Sequence, residues 1–415
     1  MRKFIREESS IGKLILLIGM LLAVPLLALP FYPEESGDAP AFLIPAAFSI
    51  LLGLVIGFLT RHKKEAYNYR GHLYASSMTV LAAWGYGILA GAAPFLLAGR
   101  LGVVQALFEA VSGWTTTGLS VVDVREAGRL FLFHRSFMQF CGGLGFVMMM
   151  IIFVQERESV NLYNAEGHPD RLMPNLGKTA RAISLMYCGF LAVGTLAYVV
   201  AGMSVFDSIN HAMCALSTGG FSTQTDSIGA YGSIAVDTIT CILMLIGTTN
   251  FAVLLLLVQG RLKKVLQVSE MRFMFGVLAV AVPLAAWSLG SHLLVGKSGE
   301  SFRQAGFNVI SALSTTGFST MGYQDWPQSA IGIMMRMAAE NLKERVSSGR
   351  RISIPYYRNA QGRQLIDEKL YKQTGSFAVT YLLLFITGSL LLTETADCDL
   401  AEAMFEFSSS LGTVG

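Results

Sequence analysis

The 415-residue chain is 53% hydrophobic and only 14% charged, with a mean hydropathy of +0.52 and a formal net charge of +3. This balance excludes an ordinary soluble globular protein. Eight long uncharged runs approach or exceed the length that crosses a bilayer: Leu14–Phe31, Ala41–Thr60, Ala75–Leu97, Phe137–Val154, Ala182–Met203, Thr238–Gly260, Phe273–Gly290 and Gly375–Thr393. The sequence therefore predicts an all-α polytopic membrane protein.

The basic residues are distributed unevenly between the connecting segments. The first run carries Pro25 and Pro30 and no small-residue cleavage site, which disfavours a cleaved signal peptide. With a cytoplasmic N-terminus, the inner segments hold 25 of the 31 Lys and Arg residues; they are 1–13, 61–72, 155–181, 259–272 and 336–373. The outer segments keep Arg100, Arg125, Arg129, Arg135, Lys297 and Arg303. The asymmetry predicts that the N-terminus is cytoplasmic.

One short pattern occurs four times along the chain. It reads FEAVSGWTTTGLS at Phe108–Ser120, and it recurs at Asn210–Ser222, Phe307–Ser319 and Phe405–Gly415. The last shared glycines, called the loop glycines here, are Gly118, Gly220, Gly317 and Gly415, at intervals of 102, 97 and 98 residues. Such a period indicates repeated structural units. We predict two transmembrane helices in 1–70, followed by repeats at 71–160, 161–265, 266–373 and 374–415.

Each repeat combines a long apolar helix, a shorter apolar segment, a Thr/Ser-Gly loop and another long apolar helix. The shorter segment of repeat 1, residues 103–113, would be about 16 Å long as a helix, half of a bilayer. A loop at that depth must be buried or line a watery cavity. Its carbonyl and hydroxyl oxygens could then replace the water shell of a cation. An ordinary helix–loop junction would explain one copy, but four copies at near-constant spacing favour a selectivity filter around a common axis.

The four loops TTTGL, STGGF, STTGF and GTVG resemble the filter segments of the Trk/Ktr/HKT superfamily of potassium transporters. Further matches are GGLG at 142–145, shortly after Gln139, and TNF at 249–251. The likeness runs from about residue 70 onward, and the two leading helices favour the TrkH/TrkG branch. In this family a glycine in all four loops goes with potassium selectivity, and a serine in the first loop goes with sodium permeability. The resemblance therefore implies the pore subunit of a potassium uptake system in the bacterial cytoplasmic (inner) membrane.

The resemblance also assigns residues and partners. It implies a filter built from Thr115, Thr116, Thr117, Gly118, Ser217, Thr218, Gly219, Gly220, Ser314, Thr315, Thr316, Gly317, Gly412, Thr413, Val414 and Gly415. Within that set, potassium would contact Thr116, Thr117, Thr218, Gly219, Thr315, Thr316, Thr413 and Val414. Potassium would be the substrate, with no covalent cofactor, no catalytic residue and no enzymatic activity. Expected partners are a cytoplasmic nucleotide-binding regulatory subunit (a TrkA-like ring), a second copy in a homodimer and the lipid bilayer, but no nucleic acid.

Two other kinds of transport protein stay open at this point. One is the potassium-binding membrane subunit of an ATP-driven pump, which needs a separate ATPase. The other is an ion-coupled secondary transporter of another solute, which would predict inverted repeats, whereas these repeats run in one direction.

Several residues outside the loops have more than one interpretation. Glu109 and Glu406, nine residues before their loop glycines, could attract cations, but we favour anchoring of the short helix. His211 is expected to be a hydrogen-bonded structural histidine. Asn250 could be functional or join two helices by a hydrogen bond, and the glycines at 142–145 are expected to allow close helix packing.

Repeats 3 and 4 are shorter than this plan requires. Only 19 residues separate Gly317 from the first inner charge, Arg336, against 38 and 41 in repeats 1 and 2. The uncharged run 326–335 covers about 15 Å of a core of about 30 Å, and repeat 4 ends at its loop. We therefore expect the 415-residue chain to be unstable or inactive, and expect a version with about twenty more apolar residues after Met335 and a spanning helix after Gly415 to conduct potassium.

Overall fold

The computed structural model describes residues 10–60, 69–145, 176–322, 356–359, 362–365, 368–396 and 398–414. These residues fold almost entirely into α-helices, which confirms the predicted all-α class. A small addition that the sequence did not predict is an antiparallel hairpin of Tyr356–Asn359 (β1) and Gly362–Leu365 (β2). The shortened inner helix of repeat 3, predicted from the uncharged run 326–335, lies outside the described residues.

The helices follow the predicted order. The leading pair is α1 (Ser10–Ala23) and α2 (Ala39–Thr60), and repeat 1 contains α3 (Tyr69–Leu97), α4 (Val103–Trp114) and α5 (Arg129–Leu144). Repeat 2 contains α6 (Leu176–Val200), α7 (Val205–Leu216), α8 (Ile234–Thr248) and α9 (Phe251–Val258). After the short α10 (Leu262–Val265) come α11 (Ser269–His292), α12 (Ser298–Leu313), α13 (Glu368–Thr395) and α14 (Leu400–Gly412). The described residues form two compact units, the first within 1–217 and 221–225 and the second within 218–220 and 226–415. The predicted repeat boundaries stay a prediction.

Among the described residues, five segments are long and apolar enough to cross a membrane: Ile11–Ala28, Pro33–Leu59, Met78–Leu97, Lys178–Val200 and Ser269–His292. A further apolar helix, Val379–Thr395, is shorter. The chain is therefore a multi-pass membrane protein, as predicted. The predicted span Phe137–Val154 is described only as far as Gly145.

The leading pair of helices is joined by glycines. A Cβ atom at Gly53 of α2 would lie 2.7 Å from the backbone nitrogen of Leu16, and one at Gly12 would lie 2.9 Å from that of Gly57. Contacts this short mean that the two backbones touch, as small residues permit between membrane helices. The α1–α2 hairpin is thus a tightly packed part of the first unit.

The predicted span Thr238–Gly260 is not one continuous helix. It divides into α8 and α9, whose axes differ by 120°. Asn250 lies at this break, where its side chain accepts a hydrogen bond of 2.8 Å from the backbone nitrogen of Ala252 and so caps α9. The sequence offered a functional role or a bond between two helices for Asn250, and neither included this capping role.

Candidate functional site

Each glycine loop follows directly from a helix too short to span a bilayer. The helices α4 and α7 have 12 residues each, α14 has 13 and α12 has 16. Twelve residues make a helix about 18 Å long, so the half-length segment predicted at 103–113 is confirmed. We call these four helices the half-helices and the loops that follow them loops 1 to 4: Thr115–Gly118, Ser217–Gly220, Ser314–Gly317 and Gly412–Gly415.

The four loops share one unusual backbone conformation. The threonine two positions before each loop glycine is left-handed, with φ values of 57° at Thr116, 52° at Thr218, 56° at Thr315 and 51° at Thr413. A β-branched residue rarely adopts positive φ, which costs about 1–2 kcal/mol. Strained backbone of this kind concentrates at functional sites. Its occurrence in all four copies marks the loops as one repeated functional element.

The handedness alternates along loops 1 to 3. The loop glycines are again positive, with φ of 92° at Gly118, 75° at Gly220 and 81° at Gly317, whereas the residue between threonine and glycine is not among the positive-φ residues. Gly415 lies outside the described residues. Left-handed backbone angles at alternate residues allow consecutive carbonyl groups to turn toward one side of the chain. The loops can therefore present a row of carbonyl oxygens.

Backbone hydrogen bonds close the end of the half-helix onto the loop. The nitrogen just before the loop glycine donates to the carbonyl six residues before that glycine, at 2.9 Å for Thr117, 3.0 Å for Thr316 and 2.8 Å for Val414. This is the helix-ending pattern in which glycine usually takes the left-handed position. Here threonine takes it, and these hydrogen bonds join loops 1, 3 and 4 directly to their half-helices.

Hydroxyl groups in two of the loops also pair with one another. The hydroxyls of Thr115 and Thr117 lie 2.8 Å apart, and those of Ser314 and Thr316 lie 2.7 Å apart. The side chain before the loop glycine is buried in loops 1 and 3, while the left-handed threonine is partly exposed. The loops thus combine a buried hydroxyl pair with a more accessible backbone.

Loops 2 and 3 adjoin within the second compact unit. A Cβ atom added to Gly220 would overlap the carbonyl oxygen of Thr316, and it would lie 3.5 Å from the carbonyl carbon of Gly317. Only glycine allows this approach, since any side chain would meet backbone. The predicted filter residues of these two loops are therefore neighbours.

The GGLG motif packs helix α5 against two of the loops. A Cβ atom at Gly142 would overlap the carbonyl oxygen of Trp114, and one at Gly143 would lie 2.8 Å from the Cβ atom of Ser217. This confirms that the glycines permit close packing. In the same helix, the buried side chain of Gln139 accepts a hydrogen bond of 3.0 Å from the nitrogen of Phe221.

Side chains at one position of three half-helices hold the chain beyond the loop. Nine residues before the loop glycine, Glu109 accepts from the Ser120 hydroxyl at 3.0 Å and from the Val121 nitrogen at 3.0 Å. At the same position, the Nε2 atom of His211 lies 2.9 Å from the Ser222 hydroxyl, and the amide of Asn308 donates to the Thr320 hydroxyl at 3.1 Å. Glu109 is therefore an anchor and His211 a hydrogen-bonded histidine, as the sequence favoured. Glu406, at the same position of α14, is exposed.

Arg135 is the residue that sequence reasoning missed. We counted it as an outer-loop charge, because the apolar run begins at Phe137, but α5 begins at Arg129 and buries it. Its Nε atom lies 2.5 Å from the carboxylate of Glu109, and the two side chains are 2% and 0% exposed. Its position in the sequence could have indicated this role, because Arg135 lies four residues before Gln139 and seven before the GGLG motif. An ionisable residue in a membrane helix is a functional candidate.

The guanidinium group of Arg135 also joins the segments that follow loops 1 and 2. It donates to the Ser120 hydroxyl at 2.6 Å and to the Ser222 carbonyl at 3.4 Å. Its central carbon lies 4.3 Å from the centre of the Phe221 ring. The buried guanidinium group therefore connects the segments that follow loops 1 and 2, which we call the loop exits, within the first compact unit.

Comparison with known proteins gives consistent results. A family model described as "TrkH: Cation transport protein" matches residues 39–339. The Trk system potassium uptake protein TrkH of Vibrio parahaemolyticus is 29% identical over 334 residues, which cover 76% of this chain and 67% of that protein. The Trk system potassium uptake protein TrkG of Escherichia coli K12 is 28% identical over 338 residues, which cover 78% of this chain and 67% of that protein. The chain thus spans about two thirds of the length of these relatives.

The fold is similar to that of a solved membrane protein. The crystal structure of the potassium transporter TrkH from Vibrio parahaemolyticus matches with a TM-score of 0.80 and 24% identity. The match covers 100% of this chain and 90% of that one.

Proposed function

Because this chain belongs to the TrkH family of cation transport proteins, we propose that it is the pore-forming subunit of a Trk-type potassium uptake system. The family consists of transporters, so the chain is a transporter and not an enzyme. The observation that carries the proposal is the left-handed threonine two residues before the loop glycine in all four loops. The names of the relatives, which are potassium uptake proteins, support potassium as the cation.

The four loops then form a single-file filter. Backbone carbonyls and hydroxyls of the predicted filter residues replace the hydration shell of potassium. Each half-helix places the partially negative end of its dipole at its own loop, which favours a cation there. Flow follows the electrochemical gradient, with no chemical step.

Ion flux through the reconstituted full-length protein tests this function. We expect rubidium uptake into potassium-loaded liposomes without ATP, competed by external potassium and much less by sodium. A protein that binds potassium but passes none without a separate ATPase would instead be a pump subunit. Saturable uptake of another solute would indicate a secondary transporter.

Gly118→Ser should shift the selectivity of this flux toward sodium. The residue has φ of 92°, so a side chain there strains one of the four loops and perturbs its carbonyls. Reversal potentials under bi-ionic conditions measure the ratio. Gly99→Ser is the matched control, since Gly99 also has positive φ, at 63°, but no described atom within 4 Å of an added Cβ. An unchanged ratio in well-folded Gly118→Ser would remove Gly118 from the filter.

We also propose a cytoplasmic N-terminus in the bacterial inner membrane, a homodimer, and docking of a nucleotide-binding ring on the cytoplasmic face. The segment 336–373 offers nine Lys and Arg residues to such a partner. Charge reversal at both Arg350 and Arg351 should weaken co-purification with the ring at low salt, where surface charges are least screened. Lys297→Glu, on the opposite face, is the control and should have no effect. Undiminished co-purification of the double variant would exclude these arginines from the interface.

A further inference from the structure

The chain leaving each of loops 1 to 3 is held from behind by its own half-helix. The holding residues are chemically different, a carboxylate at Glu109, an imidazole at His211 and an amide at Asn308, yet each is nine residues before its loop glycine. Their hydrogen-bond partners lie 11 or 12 residues further along, two or three beyond the glycine. We propose that these three are positioning residues that set the cation selectivity of the filter by clamping the chain beyond each loop glycine. The proposal rests on the proposed function.

The clamp closes each loop at its second end. In loops 1 and 3 the first end is fixed by the bond from the residue before the glycine back to the half-helix. With both ends tied to one helix, the carbonyls of these two loops cannot move apart without breaking one of these hydrogen bonds. A binding site needs such support, because its contacting atoms must stay within fractions of an ångström.

Repeats 2 and 3 carry a second brace one helical turn earlier. The carboxylate of Asp207 accepts from the Thr223 hydroxyl, and the amide oxygen of Gln304 accepts from the Thr320 hydroxyl, both at 2.5 Å. Thr223 and Thr320 both follow the loop glycine by three residues. The same two-point attachment therefore recurs in both repeats.

Repeat 1 reaches the same result with other chemistry. Val121 takes the place of the threonine, so Glu109 binds the backbone nitrogen of Val121 as well as the Ser120 hydroxyl. Arg135 supplies the additional donor. Different side chains thus meet one structural requirement, which favours a common role over incidental packing.

Burial gives these clamps their strength. Glu109, His211 and Asn308 are each 0% exposed. Their partners are less buried, since Ser120 is exposed and Ser222 and Thr320 are half-buried. Removing a partner leaves a buried clamping side chain with one hydrogen bond fewer, which is more costly than losing the same bond in water. The loop exit should therefore relax when a clamp is cut, even where the fold survives.

Thr320→Val is the sharpest test, because it removes the hydroxyl that contacts both Gln304 and Asn308 while keeping the shape. We expect the potassium-to-sodium ratio to fall by about fivefold or more, because one net hydrogen bond corresponds to a factor of about five and this variant removes two. Yield and total flux should stay normal. Thr320→Ser keeps a hydroxyl and should restore the ratio. Thr238→Val is the matched control, since its hydroxyl bonds to Ile234 of its own helix and the ratio should not change.

Ser222→Ala provides an independent arm in repeat 2. It removes the hydroxyl that lies 2.9 Å from the Nε2 atom of His211. Ser208→Ala is its control, because the buried Ser208 hydroxyl has no hydrogen-bond partner among the described residues. If Thr320→Val misfolds, the potassium-to-sodium ratio of Ser222→Ala tests the proposal instead. Wild-type ratios in whichever of these two variants fold would overturn the clamp.

The same measurements separate the clamp from the proposed function. Selectivity is read both from flux and from the concentrations of potassium or sodium that raise the Tm of the purified protein, since an ion that binds the native state stabilises it. If the wild type passes or binds a different cation, the proposed function fails. The clamp is then still judged by whether the variants change the ratio between cations.

Discussion

Replacement of Gly220 by alanine is expected to abolish potassium uptake. Gly220 has φ of 75°, and an added Cβ atom would overlap the carbonyl oxygen of Thr316 in the neighbouring loop. That oxygen belongs to a predicted potassium contact. The overlap involves two backbones, so it can be relieved only if one loop moves. Either movement displaces the carbonyls of one of the four loops and breaks its contact with the other.

Rubidium uptake into liposomes at equal protein measures this effect. Gly296→Ala is the matched control, because Gly296 has φ of 78° and an added Cβ atom would have no described atom within 4 Å. It should cost about 1–2 kcal/mol of local strain and leave transport nearly normal. Robust uptake by Gly220→Ala would show that loops 2 and 3 do not meet at this glycine in the conducting protein.

Much of the fold could be predicted because hydropathy and a repeat period are direct signals. The half-length run at 103–113 is confirmed as α4, since a helix of that length is bounded by glycine at Gly102 and polar residues after Trp114. The turn between α8 and α9 could not be predicted in this way. The segment 251–258 is entirely apolar, and hydropathy says how much of a segment is buried but not in which direction it runs.

The backbone conformation of the four loops could be predicted only in part from the sequence. The loop glycines stand out because glycine is the residue expected at positive φ. The left-handed threonines do not, because sequence rules assign β-branched residues to extended backbone. The structure shows positive φ at Thr116, Thr218, Thr315 and Thr413 as well as at the glycines of loops 1 to 3, and strain arises only at the threonines.

The three clamping residues could not be predicted as a set, because their side chains are chemically different. Comparing the repeats at a fixed offset revealed Glu109 and Glu406, since these are identical residues. His211 and Asn308 stand at the same offset, but nothing in their residue types indicates a shared role. Their equivalence became visible only through the bonds to Ser222 and Thr320.

Arg135→Met is expected to destabilise the protein severely and to abolish transport. The arginine and Glu109 are both buried, so removing the cation leaves a buried carboxylate without its counter-charge. Breaking such a pair typically costs about 3–5 kcal/mol, a large part of the stability of a folded protein. The change also removes the donor to Ser120 and Ser222 and the contact with the Phe221 ring, so the exits of loops 1 and 2 lose their common tie.

Three further variants test the contribution of the buried ion pair: Arg100→Met, Glu109→Gln and the double variant Arg135→Met/Glu109→Gln. Each is compared with the wild type by thermal unfolding and by rubidium uptake. Arg100→Met breaks an exposed bridge of 3.0 Å to Asp38, which is worth less than about 1 kcal/mol, and its Tm should stay near the wild type. Glu109→Gln alone should destabilise as strongly as Arg135→Met. The double variant should recover a large part of the Tm, because replacing both charges removes the desolvation penalty together with the attraction. It should nevertheless transport with reduced selectivity, since the loop exits are no longer joined. A wild-type Tm for Arg135→Met, or a double variant no more stable than the singles, would show that this ion pair does not hold the two exits.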